Sequence, residues 1–352
     1  MHLKDPFKLS AHKKATIGEP PGTLSYRGPH NDVNVQIDVI EYDQDHYVKK
    51  QLASLDELII KDKKYWINIT GLHDIDLIRE IGEKFQIHDM DLEDVVHVSQ
   101  RSKIEIKEDY LFSIFKMIYL AGDEVKHEHI SIFLKENLLL SFQELPGDVF
   151  DTVRKRLKEG NERTRELGVD FLFYTLIDVL TDHYYPVVNT SYAAFNDVEL
   201  SALEENEPDM SEIYRLRKEL LYMVNAVTPI KDAIYNFTKT ENPYFKKESI
   251  PYYADVIDHL SQISDSLKSH REMINSLYEM QMAKVSNELN KTMMTLTTFS
   301  VIFIPLSFLA GIFGMNFTHF PGLRSPYGIY VFVIVCGAIA FGMLSYFKRK
   351  KW

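Results

Sequence analysis

Three regimes of apolar spacing follow one another along this chain. Up to about residue 144, short β-branched or aromatic runs alternate with amphipathic stretches. The runs Val33–Tyr42, Tyr65–Ile69, Ile104–Ile106, Tyr110–Tyr119, Ile130–Leu134 and Leu138–Phe142 read as strands. Between them, Asp76–Phe85 and Met90–Val96 carry apolar residues at helical spacing. Strands interleaved with helices predict an α/β domain with a mixed sheet over residues 23–165. A polar leader, residues 1–22, precedes it and ends in Glu19-Pro20-Pro21-Gly22.

The second regime, from Val149 onward, is helical and nearly free of glycine, with Pro186, Pro208, Pro229, Pro243 and Pro251 as punctuation. Val187–Glu207 and Met210–Val227, separated by Pro208-Asp209, predict an antiparallel helix pair within a helical subdomain, residues 166–250. Its turn is acidic, with Glu199, Glu204, Glu205, Glu207, Asp209 and Glu212. Tyr252–Ile304 contains neither Gly nor Pro, and as one helix it would extend about 80 Å at about 1.5 Å per residue. Ile257, Leu260, Ile263, Leu267, Ile274 and Leu277 give it a packed face. Residues 251–291 therefore read as a stalk helix that runs into the third regime, either as a transmission element or as a plain stalk.

That third regime is membrane-like. The uncharged stretch Thr292–Leu323 and the apolar run Tyr327–Phe347 each exceed the roughly 20 residues that cross a bilayer as a helix. The first span is placed at 292–315, the join at 316–326 and the second span at 327–347. The join is too short for a domain, so the pair is a hairpin with both ends on one side. A basic tail over 348–352, Lys348-Arg349-Lys350-Lys351, places that side in the cytoplasm. The expected location is the cell membrane, multi-pass, with both termini inside; Met1–Ser10 lacks the apolar core of a secretory signal.

Charge sharpens this picture. The chain carries −11 overall, yet from residue 292 onward it has no Asp or Glu and five basic residues, which leaves −16 on the head. So acidic a head repels nucleic acid and suits cations. The only cysteine, Cys336, lies in the second span, so neither a disulfide framework nor a thiolate metal cluster is available. No phosphate-cradling glycine loop, nucleophile elbow or His-Glu-x-x-His motif is present, and no enzyme activity or organic cofactor is expected.

Two helices cannot enclose a water-filled path, so a two-span chain that conducts must assemble around an axis. On the first span, Asn290, Met293, Leu296 or Thr297, Ser300, Ile304, Ser307 and Gly311 share one face of small, hydroxylated and apolar residues. On spacing alone that face serves pore lining or helix packing equally. At the span's end stands Gly314-Met315-Asn316, within Pro305-Leu306-Ser307-Phe308-Leu309-Ala310-Gly311-Ile312-Phe313-Gly314-Met315-Asn316-Phe317.

This arrangement resembles the CorA family of magnesium transporters, whose signature is Gly-Met-Asn at the outer end of the first of two C-terminal spans. The likeness covers the whole chain. It implies a funnel-shaped homopentamer acting as a passive Mg²⁺ channel, also permeable to Co²⁺ or Ni²⁺ and gated by internal Mg²⁺. By that resemblance Gly314, Met315 and Asn316 form the selectivity motif; Met293, Leu296 and Ile304 match an apolar constriction. Ser307 and Gly311 match polar or backbone-lined pore positions, and Asn290 matches the inner mouth. A ring of neutral Asn316 amides would hydrogen-bond a hydrated ion without stripping it, where a carboxylate ring would hold it too long. The alternative for Asn316 is a helix C-cap.

The external loop departs from the family. Its usual Met-Pro-Glu-Leu is Phe320-Pro321-Gly322-Leu323 here, with His319 and Arg324 alongside and no carboxylate between Asn316 and Tyr327. Capture of external Mg²⁺ is the property this bears on, and a Zn²⁺ transporter on the same scaffold is the first rival. A membrane-anchored sensor that conducts nothing is the second.

Head carboxylates supply candidate sensors: His88-Asp89-Met90-Asp91-Leu92-Glu93-Asp94, the pair Asp178 and Asp182, and Asp255 with Asp258. The resemblance implies inter-subunit Mg²⁺ sites pairing Asp94 with Asp255 of the next protomer, and Glu93 with Asp178. Alternate residues His127 and His129 share a strand face and could be a ligand pair, although a surface position is the expectation.

Overall fold

The computed structural model describes residues 20–350, apart from residues 27, 123, 161, 204–209, 241, 242, 245 and 316–324. Asn316, His319, the 320–324 loop, Glu204, Glu205, Glu207, Asp209, Lys351 and most of the leader lie outside the described residues. The chain divides into two compact units, Met1–Asn275 and Ser276–Trp352.

A seven-stranded sheet forms the centre of the first unit: β1 (Gln36–Tyr42), β2 (Tyr47–Leu52), β3 (Lys64–Thr70), β4 (Lys103–Ile106), β5 (Leu111–Ala121), β6 (Glu124–Lys135) and β7 (Leu138–Gln143). Its order is β2-β1-β3-β7-β6-β5-β4. Neighbours are antiparallel except β3 and β7, which run parallel. A parallel pair needs a crossover, and here it carries helices α1 (Ile75–Phe85) and α2 (Asp89–Val96) as well as β4 to β6.

Ile78, Ile81 and Phe85 of α1 and Leu92, Val95 and Val96 of α2 are buried in one core cluster with β-strand residues. The strand partners include Ile67, Ile69, Phe112, Ile114, Phe133 and Phe142. Each such side chain contributes about 1.5–3 kcal/mol by leaving water. The two helices meet at Gly82, where an added Cβ would sit 2.3 Å from Leu92 Cδ1. A side chain at that position would collide, so glycine sets the helix spacing.

After β7 come α3 (Asp151–Glu159), α4 (Glu162–Glu166), α5 (Val169–Leu203) and α6 (Met210–Lys239). They belong to the same compact unit as the sheet. Phe150 stands edge-on to Trp66 of β3, and Phe173 of α5 lies against Phe115 of β5. Tyr184 of α5 donates its hydroxyl to the Lys116 carbonyl.

Where the chain differs from its apolar pattern, the causes are tertiary. β2 (sequence YVKKQL) escapes sequence reading because it is an edge strand with mostly exposed residues, and lysines are normal edge protection. β6 begins six residues before its apolar run, because its first half pairs with β5 from Lys116↔His129 to Ala121↔Glu124. Pro186 and Pro229 do not end helices: both lie inside α5 and α6. A proline there loses one backbone hydrogen bond and strains the turn. Tyr184, Val187 and Val188 are buried around Pro186, and Val227 and Ile230 around Pro229, which holds the helices together.

The last two helices are α7 (Ile250–Phe313) and α8 (Gly328–Arg349). α7 is unbroken for 64 residues and includes Pro305. Both are long and apolar enough to cross a membrane by length and composition. In the second unit Phe313 and Phe332 bring the two spans together, ring centroids 4.8 Å apart.

Candidate metal centre and ion path

The head offers one group of side chains that could hold a metal among the described residues: Asp178 on α5 with Asp255 and His259 on α7. One ligand atom from each lies within 4.8 Å of the others. Asp255 and His259 are one helical turn apart and so share a face of α7. His259 Nε2 lies 3.9 Å from Asp255 Oδ1, and the Tyr185 ring stands edge-on to the imidazole. Asp178 is half-buried, whereas Asp255 is exposed. Burial, then the neighbouring Asp182 carboxylate, raises the Asp178 acid above its ordinary range, with Asp255 adding to the effect. Crowded carboxylates of this kind are relieved by a divalent cation, and two carboxylates plus an imidazole are a fitting donor set for one.

Sequence reading found Asp178 and Asp255 but not His259, although its four-residue step from Asp255 was visible. It also singled out Asp182 and Asp258, which are not in this group; Asp258 accepts instead from Gln262 Nε2 at 3.1 Å.

Glu93 and Asp94 are not part of that cluster within one chain. They line a cleft of about 840 Å³ with Asp91, Lys103, Lys107 and Pro21. Asp94 pairs with Lys103 at 2.7 Å and accepts from Gln100 Nε2. Glu93 Oε2 accepts the Gly22 N–H at 2.7 Å. Asp91, part of the same acidic run, is buried and committed to structure: the Tyr110 hydroxyl donates to it at 2.6 Å and Lys107 lies at 3.2 Å.

The expectation of a surface position for the histidine pair needs correction. His129 and Glu128 are buried, and His127 packs on the Tyr222 ring with centroids 5.0 Å apart. The cause is the extended β6, which carries these residues into the sheet.

On α7, Asn290, Met293, Leu296, Ser300, Ile304, Ser307 and Gly311 are all exposed in the single chain. Phe299, Phe303 and Phe308 on other faces are exposed too. An isolated helix with this much apolar surface needs lipid or further copies around it. Hydroxyls in the inner half of the span are satisfied internally: Thr297 Oγ1 donates to the Met293 carbonyl at 2.7 Å and Ser300 Oγ to Leu296 at 2.9 Å. That is what hydrocarbon demands of polar groups. The helix closes with Gly314 N–H donating to the Ala310 carbonyl at 3.0 Å and Met315 N–H to Ile312 at 3.2 Å. A Cβ on Gly314 would lie 3.3 Å from the Ala310 oxygen, so the signature's glycine stands where backbone approaches closely.

Known proteins share this arrangement. The sequence profile of the CorA-like Mg2+ transporter protein family matches residues 61–349. The chain is 36% identical over 351 residues to the cobalt/magnesium transport protein CorA of Thermotoga maritima, covering 98% of this chain and 99% of that one. It is 23% identical over 223 residues to the zinc transport protein ZntB of Pectobacterium atrosepticum, covering 63% and 67%. In fold it resembles the complete structure of the CorA magnesium transporter from Methanocaldococcus jannaschii, with a TM-score of 0.73 at 22% identity and coverage of 90% and 98%. The α/β head, the long helix and the paired apolar C-terminal helices therefore mark a membrane transporter of divalent cations, and the chain belongs to the CorA-like Mg2+ transporter family.

Proposed function

We propose that the protein is a homopentameric, passive Mg²⁺ channel, also permeable to Co²⁺ and Ni²⁺, with both termini in the cytoplasm, gated by cytoplasmic Mg²⁺ bound in the head. One observation carries this reading. The unbroken α7 bears Asp255 and His259 beside Asp178 near its start, and Gly314 of the signature just beyond its end. A helix with metal-responsive groups near one end and a pore face along the other half is suited to transmit a gating movement.

Asn316 amides ringing the outer mouth hold a hydrated ion weakly enough to release it. Met293, Leu296 and Ile304 then form an apolar constriction that closes by excluding water. Inside-negative potential supplies about 2.3 kcal/mol per charge per 100 mV, hence about 4.6 for a divalent ion, so no pump is needed. In the head, Asp178, Asp255 and His259 face Glu93 and Asp94 of the next protomer. Bound Mg²⁺ cancels the repulsion between these carboxylates and fastens the subunits; loss of the ion lets them separate and α7 opens the constriction. The long 36% identity to a cobalt/magnesium transport protein supports Mg²⁺ as the cargo.

Zn²⁺ transport is the second reading, favoured by the His259 nitrogen in the donor set, by His319 and by the likeness to a zinc transport protein. Uptake of Mg²⁺, Co²⁺ and Zn²⁺ into vesicles containing the purified protein, with and without a proton gradient, separates the two. Mg²⁺ entry independent of protons supports the channel; proton-dependent Zn²⁺ entry without Mg²⁺ entry replaces it.

A further inference from the structure

The first unit contains a second, larger cavity, lined by none of Asp178, Asp255 and His259. It measures about 1010 Å³ and opens between α6, the strand ends of β5 and β6, and the 98–102 loop. That is the size of a small-molecule site. Its wall combines ionisable side chains (Lys116, His127, His129 and Glu144) with the Tyr222 ring and apolar Val98, Val224 and Pro229.

These charged groups are held in place. The half-buried Lys116 ammonium donates to the Val98 carbonyl at 2.6 Å and lies 3.4 Å from His129 Nδ1. An ammonium has three protons, which leaves one for an incoming oxygen among the described residues. Glu144 accepts the Tyr26 hydroxyl at 2.9 Å through one oxygen and faces the His129 N–H at 3.4 Å through the other. Glu128 accepts the Leu145 N–H at 2.8 Å through Oε1, while its Oε2 has no protein partner. Ser102 Oγ and His127 Nδ1, also among the lining residues, are buried and lack one too. Buried polar atoms are nearly always hydrogen-bonded, and three among the residues that line one cavity call for an explanation.

The lining is less acidic than the head as a whole, with Arg101, Lys116 and Lys126 facing Glu124, Glu128 and Glu144. Burial raises the Glu128 acid to about 8, so it is neutral at pH 7 and can donate a proton in a hydrogen bond. Burial lowers Lys116 only to about 8, so it stays mostly charged.

We propose that this cavity binds a small organic anion, with its phosphate or carboxylate at Lys116 and its flat or apolar body along Tyr222, Val224 and Pro229. Gln100, on the cavity's loop, also donates to Asp94, so the site adjoins the sensor carboxylates. An effect on ion flow rests on the function proposed above; binding does not, and calorimetry reads binding alone.

The test is titration calorimetry on the full-length protein in detergent at pH 7, with AMP, benzoate and adenosine as probes. Saturable binding of AMP or benzoate at one site per chain is expected, weakened about ten-fold by Lys116→Met. Adenosine, which lacks the anion, is expected to bind at least as weakly as AMP does to that variant. AMP binding alone assigns a phosphate, benzoate alone a carboxylate, and both a simple anion. Arg101→Gln, on the exposed rim, carries the test if Lys116→Met does not fold, with a several-fold loss expected. Absence of saturable binding by both anions, adenosine binding as tightly as AMP, or unchanged affinity in both variants overturns the proposal.

Discussion

Replacing Glu128 with Gln isolates the cost of burying a carboxyl group in the head. Glu128 is only 4% exposed, and burial, followed by the Glu144 and Asp148 carboxylates, lifts its acid from the usual 4.5 to about 8 against the Leu145 hydrogen bond. Below the lower value both the folded and the unfolded chain hold this proton, and the residue is neutral with respect to pH. As pH rises past it, the unfolded chain releases the proton while the folded chain keeps it until about 8. The folded state then binds more protons, so stability falls with pH by about 1.4 kcal/mol per unit. Glu128→Gln keeps the acceptor for Leu145 and cannot ionise, so the difference between variant and wild type isolates this one group. From about pH 5.5 to about pH 8 the variant should gain on wild type by about 3 kcal/mol, then level off. Urea unfolding followed by the fluorescence of buried Trp66 measures it at each pH. A difference between the two proteins that stays flat across this range would refute the reasoning and mean that Glu128 ionises freely in the fold.

Three further outcomes are expected. Mg²⁺ should protect the wild-type head against proteolysis, read on gels, and Asp94→Lys combined with Asp255→Lys should abolish that protection; unchanged protection removes these residues from the proposed sensor. Asn316→Ala should stop ion uptake into vesicles while leaving the oligomer intact, whereas a non-conducting scaffold would be indifferent. Gly82→Ala forces Leu92 aside and should destabilise the head by about 1–3 kcal/mol, less any gain in helix propensity. Leu92→Ala should cost less in that background than in wild type, as a double-mutant cycle would show.

Much of this protein was legible before its structure. The two apolar spans, the Gly314-Met315 ending and the mixed sheet all follow from local pattern, since span length and strand alternation are properties of contiguous residues. What stayed hidden depends on distant partners. β2 is an edge strand that shows lysines to solvent, and the polar half of β6 is a strand only because β5 pairs with it. Pro186 and Pro229 are carried through helices by packing that no local rule contains. His259 joins the candidate metal group because α5 brings Asp178 to its face of α7. The polar cavity was missed for the same reason: Lys116 and His129 lie on adjacent strands and Glu144 just past the end of the next, and only the sheet register brings them together.

Whether metal bound near the start of α7 governs ion passage along its other half is open to direct measurement. Mg²⁺ uptake should be recorded in vesicles under an inside-negative potential while the Mg²⁺ facing the head is varied, for wild type and for Asp255→Asn. Wild-type uptake should fall as this Mg²⁺ rises, and the variant should keep conducting. Uptake that ignores it in the wild type, or membranes that remain sealed to Mg²⁺ at every concentration, would contradict the proposed gating.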